Sequence, residues 1–207
     1  MTILIVPGLY GSEREHWQSY WEAELDGAER VHQQNWDTPD LEAWLEALTS
    51  HVSRSPDAIL IGHSLGAVLI AHLAARYPEL KIGGALLVAP ADPELLQSVI
   101  PSLASFAPLP SVHLGFPSVV VASHTDPYMT LDRARSRAAL WGATFVDAGD
   151  AGHINVASGH GPWREGRKWL NLLPKRQRSF GQRSLRGPIG RASIAGEQPG
   201  MAPCQIQ

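Results

Sequence analysis

Cysteine is nearly missing from this chain of 207 residues. Its one example, Cys204, lies in a polar stretch, which excludes a disulfide framework and a buried cysteine nucleophile. Long apolar runs are missing too. The opening segment, MTILIVPGLYG, carries no basic region and is broken at Pro7-Gly8, well short of a secretory h-region or a membrane span. A cytoplasmic protein with no membrane partner is the expectation. His-Glu-x-x-His spacing is absent, and the histidines lack paired carboxylates or thiolates, so no metal is expected. Nor does any repeat recur at the periods of solenoids or propellers.

Positive charge is scarce over most of the length. The first 174 residues hold 11 basic against 19 acidic side chains, whereas Lys175, Arg176, Arg178, Arg183, Arg186 and Arg191 face only Glu197 in the remainder. An acidic body gives no footing to nucleic acid, because phosphate binding needs clustered cations. The basic stretch is rich in Gly, Pro, Ser and Gln and poor in large apolar groups. It predicts a domain over 1–174 followed by a disordered tail over 175–207. With 44% hydrophobic and 18% charged residues, the body has the composition of a single globular domain with a real core.

What the body does contain is an alternation. Short apolar runs predict strands at 3–6, 30–34, 58–61, 85–89, 118–122 and 143–146. Several are continuously apolar, as strands covered on both faces are. Between them, Trp17, Tyr20, Trp21 and Leu25 share one face of a helix over 13–25, and Leu41, Trp44, Leu45, Leu48 and Val52 one face over 40–54. Thr38-Pro39-Asp40 supplies the start signal for the second of these. Further helices are predicted at 64–77, 131–141 and 162–173, and a short one near 93–105 within a proline-rich region. Strand alternating with helix predicts an α/β fold, a mostly parallel sheet of about six strands with helices on both faces.

At the centre of this pattern stands LIGHSLGAVLIAHLAARYPEL, residues 60–80. Gly-x-Ser-x-Gly is short, and its context gives it meaning: a buried strand before it, a helix after it, and Ser64 at the turn, as a nucleophile elbow requires. The glycines have a steric purpose, letting the helix pass close to the strand while the serine is held in a strained conformation that points its oxygen outward. A serine hydroxyl needs a base and an orienting acid, which in this architecture come later in the chain, acid first. Asp126, in SVVVASHTDPY, lies just past a strand and before Pro127, which restricts its backbone. His153, in DAGDAGHINVASGHGPW, follows the last predicted strand at once. Asp92, Asp147 and Asp150 remain rivals for the acid, and His124 and His160 for the base. His51 and His72 fall in helical patterns, and His63, inside the elbow, reads as packing. Two backbone N–H groups should receive the oxyanion: Leu65 after the serine and Leu9, with Tyr10 as alternative, in the loop PGLYGS. The seven tryptophans are candidates for an acyl pocket or, more simply, for the core.

Together, VPGLYGSEREHW, GHSLG, VASHTDPY and AGHINVASGHGPW resemble the small YdeN-like serine hydrolases, the group that includes retinoblastoma-binding protein nine, over about residues 3–173. The resemblance implies a compact α/β-hydrolase fold with little or no cap domain and a triad of Ser64, Asp126 and His153. It also implies loop residues near the site at His16-Trp17 and Gly159–Trp163. Arg164 stands where the family more often has proline, and the basic tail has no counterpart there. The function expected is hydrolysis of a small or medium carboxylic ester, with amides and thioesters next in line, through an acyl-enzyme and without a cofactor. The only partner this requires is a small-molecule substrate, and nothing in the sequence specifies an oligomer. The rival expectation is a protein-interaction module on a hydrolase fold.

Overall fold

The computed structural model describes residues 2–173; the tail expected over 175–207 lies outside the described residues. Six strands run parallel in the order β2-β1-β3-β4-β5-β6: β1 (Ile3–Val6), β2 (Ala28–Arg30), β3 (Ala58–His63), β4 (Ile82–Val88), β5 (Ser118–Ala122) and β6 (Thr144–Asp147). The helices are α1 (Trp17–Glu24), α2 (Leu41–Arg54), α3 (Leu65–Arg76), α4 (Pro93–Leu96) and α5 (Leu131–Trp141). Among the described residues, no helix is long and apolar enough to cross a membrane.

The period of two along each strand divides the core. Leu4, Val6, Leu60, Leu87 and Val120 pack with α2, α3 and α5 on one face, including Trp44 and Trp141. Their neighbours Ile5, Ile59, Ile61, Val88 and Val121 pack with Trp17 and Trp21 of α1 and with Trp163, Trp169 and Leu170 on the other. Each apolar side chain hidden this way contributes about 1.5–3 kcal/mol. Helices therefore cover both faces, as the continuous apolar strands require.

Several expected boundaries move. The second strand ends at Arg30 rather than running over 30–34, because the Arg30 guanidinium turns to Glu22 (2.7 Å) and to the carbonyl of Ser12 (3.0 Å), tying the chain to the loop after β1. The first helix begins at Trp17, capped by His16, whose ring accepts the Gln18 N–H. The segment near 93–105 forms α4 followed by a 3₁₀ turn over Pro101–Phe106. The helix expected at 162–173 is wound as 3₁₀ turns over Arg164–Leu172, and Gly166, a weak helix former, lies tight under the Trp163 ring there.

The strand order reverses between β1 and β3, so a crevice opens at their carboxyl ends. Here α3 comes very close to the sheet. A Cβ on Gly66 would lie 2.1 Å from the Val6 carbonyl oxygen, and one on Gly62 would lie 2.7 Å from the Ala67 Cα. Alanine near a helix start ordinarily stabilises by up to about 1 kcal/mol over glycine. At Gly66 the obstacle is backbone, and overpacking of that kind costs about 3 kcal/mol. Gly66→Ala is therefore expected to lower the Tm by roughly 6–12 °C for a domain of this size. Thermal unfolding followed by circular dichroism reads this, and a Tm equal to or above wild type would show that α3 can withdraw from β1.

Candidate active site

At the crevice, β3 ends in His63 and α3 begins at Leu65, leaving Ser64 between them with φ 54° and ψ −122°. A non-glycine residue in this region is strained and persists only where its surroundings hold it. The Ser64 N–H donates to the Val88 carbonyl (3.0 Å), and its own carbonyl accepts from Ala67 (3.1 Å), so both sides of the turn are held. The first amides of a helix lack intrahelical acceptors, and Leu65 carries one of them. The loop after β1 reaches the same point. A Cβ on Gly8 would lie 2.9 Å from the Ser64 Cβ and 3.0 Å from the Leu65 nitrogen, so only glycine lets Leu9 follow so close to the elbow. Of the two amides considered for the oxyanion, that of Tyr10 donates to the Trp36 carbonyl (3.1 Å), which leaves Leu9 as the candidate.

Asp126 and His153 meet. The Nδ1 of His153 lies 3.0 Å from each carboxylate oxygen of Asp126, and both side chains are buried. The Tyr128 N–H donates to Asp126 Oδ1 (2.9 Å), and the Tyr128 ring stands edge-on to the imidazole at 4.5 Å. The loops after β5 and β6 are joined by small polar groups: Ser123 Oγ donates to the Gly149 carbonyl (3.0 Å) and accepts from the Ala151 N–H (2.9 Å), and Thr125 Oγ1 accepts from Gly152 (3.0 Å). His153 and Ser64 line one cavity of about 330 Å³, together with Leu9 and Leu65.

The rivals lie elsewhere. Asp92 is fully buried, but its carboxylate pairs with Arg133 and caps α4 through the Glu94 N–H (3.1 Å). His124 is exposed and sits between Asp147 (2.9 Å) and Asp150 (3.4 Å), whose carboxylates raise its pKa. His160 contacts Ser158 (3.2 Å), and partial burial lowers its pKa. His51 contacts the Ala47 carbonyl and His72 the Phe106 carbonyl, both through ring nitrogens. No tryptophan is among the residues lining the cavity: Trp17, Trp21, Trp44 and Trp141 are fully buried in the core.

Two histidines take part in a way their sequence positions only hint at. His16, His63 and His153 lie in series as tilted rings, with centroids 4.7 and 4.8 Å apart and interplanar angles of 58° and 54°. His63 Nε2 donates to the backbone carbonyl of His153 (2.9 Å), fixing the loop that carries the third ring. Burial, with the nearby charges of Arg30 and His153, pushes the His16 pKa down to about 3, and burial drives that of His63 well below its usual range. Both rings are therefore neutral around pH 7. Cavity residues that the sequence reading did not single out include Glu13, Tyr128 and Asn155, and an apolar set of Leu96, Ile100 and Leu103. The i, i+4, i+7 spacing of that last set was the available signal, hidden by the prolines around it.

A family model described as serine hydrolase matches residues 3–172. The chain is 38% identical to a YdeN-like hydrolase of Pectobacterium atrosepticum, covering 84% of this chain and 92% of that one with a TM-score of 0.74. It is 21% identical to the ydeN gene product of B. subtilis, over 83% of this chain and 97% of that one, with a TM-score of 0.69. A monoacylglycerol lipase of Paleococcus ferrophilus, 14% identical over 82% of this chain and 91% of that one, shares the fold with a TM-score of 0.59. No curated protein sequence matches. Six parallel strands, the elbow at Ser64 and a family match across nearly all described residues lead to one assignment: the chain belongs to the serine hydrolase family, in its YdeN-like branch, and has a compact α/β-hydrolase fold.

Proposed function

We propose that this hydrolase cleaves small or medium carboxylic esters through an acyl-enzyme, with Ser64 as nucleophile, His153 as general base and acid, and Asp126 as the group that orients His153. The observation that carries this reading is the contact of His153 Nδ1 with both oxygens of Asp126 in the cavity where Ser64 stands strained between β3 and α3. With Nδ1 committed to the carboxylate, Nε2 is the nitrogen free to take a proton. Ser64 Oγ attacks the ester carbonyl carbon as its proton passes to His153 Nε2. The oxyanion that forms is received by the N–H groups of Leu9 and Leu65, each worth about 3 kcal/mol to the transition state. Collapse breaks the bond to the alcohol oxygen, which leaves with the proton from His153. Water then repeats the sequence on the acyl-serine and releases the carboxylic acid. Amides and thioesters can follow the same steps.

Because burial holds the pKa values of His16 and His63 low, both rings are weak bases, and the proton from Ser64 goes to His153. Fluorophosphonate labelling and hydrolysis of nitrophenyl butyrate test the assignment together. Ser64→Ala should lose both labelling and turnover, and Asp126→Asn should cost roughly ten-thousandfold in kcat while the protein stays folded. Wild-type protein that is folded yet unlabelled at Ser64 would favour an interaction module on this fold instead.

The same two rings set an acid limit on stability. As pH falls through 6.5, the unfolded chain takes up protons at these imidazoles, which the folded chain refuses, for His16 until about pH 3. A lowered pKa on a base thus removes stability as pH drops across that window. Urea midpoints measured between pH 7 and 4 should decline, and His16→Asn, which can still cap α1 through its side-chain oxygen, should flatten the decline. An acid slope identical in wild type and variant would contradict this.

A further inference from the structure

The loops after β1 and β4 lie on opposite sides of the elbow, because β3 stands between those strands in the sheet. They give the cavity two unlike walls. On the β4 side stand Ala91, Leu96, Ile100 and Leu103, which offer an alkyl surface and no charge. On the β1 side stand Leu9, Tyr10, Ser12, Glu13 and His16, and the last three bring polar groups that the β4 side lacks. Ser12 Oγ donates to Gln18 Oε1 (2.7 Å), and His16 is neutral with Nδ1 accepting from Gln18. The proton of His16 is therefore on Nε2, a buried atom without a protein partner. That leaves Glu13 as the charge of this wall. It is exposed, and among the described residues its carboxylate has no ion-pair partner.

No lysine or arginine lines the cavity among the described residues. The cation behind the β1 wall, Arg30, is occupied by Glu22 (2.7 Å), Ser19 Oγ (2.8 Å) and the carbonyls of Gly11 and Ser12. Arg133, near the β4 wall, is paired with Asp92 and Glu94. A substrate bearing carboxylate, sulfonate or phosphate would thus meet the Glu13 carboxylate at the mouth, while the guanidinium of the neighbouring Arg14 is exposed and is not among the residues lining the cavity. Sites that accept such groups supply Arg or Lys for them.

Resting on the serine hydrolase reading of this cavity, we propose its substrate class: esters with an apolar group for the β4 wall and an uncharged or cationic group for the β1 wall, with Glu13 turning away anionic substituents. Acyl groups carried on phosphate-bearing thiols are disfavoured by the same charge. The effect is electrostatic across a hydrated mouth, so one charge is worth about fivefold in kcat/KM at low salt and fades as the Debye length shrinks.

Three butyrate esters of similar size isolate the charge: butyrylcholine, its uncharged analogue 3,3-dimethylbutyl butyrate, and 2-sulfoethyl butyrate. With the full chain at low ionic strength, the sulfonate ester should be turned over about fivefold or more slowly than the uncharged one, and butyrylcholine at least as fast as the uncharged one. Adding salt to about 0.5 M should narrow the spread. Glu13→Lys should reverse the order of the two charged esters. Equal turnover of all three, or an order that Glu13→Lys leaves in place, would overturn the proposal. Fluorophosphonate labelling of Ser64 in each protein separates the two levels: labelled protein without charge preference defeats the substrate class alone, and unlabelled protein defeats the hydrolase reading beneath it.

Discussion

The near contact between the start of α3 and the carboxyl end of β1 governs this molecule. Gly66 meets the Val6 carbonyl, Gly62 meets the Ala67 backbone, and Gly8 meets Ser64 from the other side. Three positions without a Cβ thus bring a strand, a helix and a loop to one point. The residue between strand and helix cannot then keep an ordinary backbone, and Ser64 takes a positive φ. Strain of this kind costs on the order of 1–3 kcal/mol and is held by the packing around it. Here the buried strand β3 and the apolar α3 provide the hold, since both are covered almost throughout.

The remaining groups of the proposed triad are placed by different means. Asp126 and His153 sit on the loops after β5 and β6, where no helix start fixes them. Hydroxyls do so instead, with Ser123 and Thr125 bonding across to Gly149, Ala151 and Gly152. His63 bonds the His153 backbone, and Trp17 Nε1 donates to the Ile154 carbonyl (2.9 Å), which ties the histidine loop to α1. Packing on one face of the sheet and the proposed site at its edge therefore share residues: the tryptophan core supports the loop that carries the proposed base, His153.

Much of this was legible in the sequence because it follows from local chemistry. Continuous apolar strands gave the parallel sheet, Gly-His-Ser-Leu-Gly between strand and helix gave the elbow, and Asp126 and His153 stood out by following strands. What stayed hidden depends on long-range contact. The end of β2 at Arg30 reflects a guanidinium folded back on the loop after β1, which no local pattern encodes. The series of tilted rings of His16, His63 and His153 joins residues as much as 137 positions apart. Tryptophans fill the core, the simpler of the two expectations for them, whereas the cavity is walled by leucine and isoleucine from the proline-rich segment after β4, where broken periodicity concealed the face they form.

Hydrolysis through a covalent intermediate at Ser64 is the claim on which the functional reading turns. Mass spectrometry of protein quenched within the first turnover of nitrophenyl butyrate tests it most directly. A butyryl mass added to the peptide that holds Ser64, forming with the nitrophenol burst and decaying at the rate of steady turnover, is the expected result. Release of nitrophenol at full rate with Ser64 never modified would contradict it.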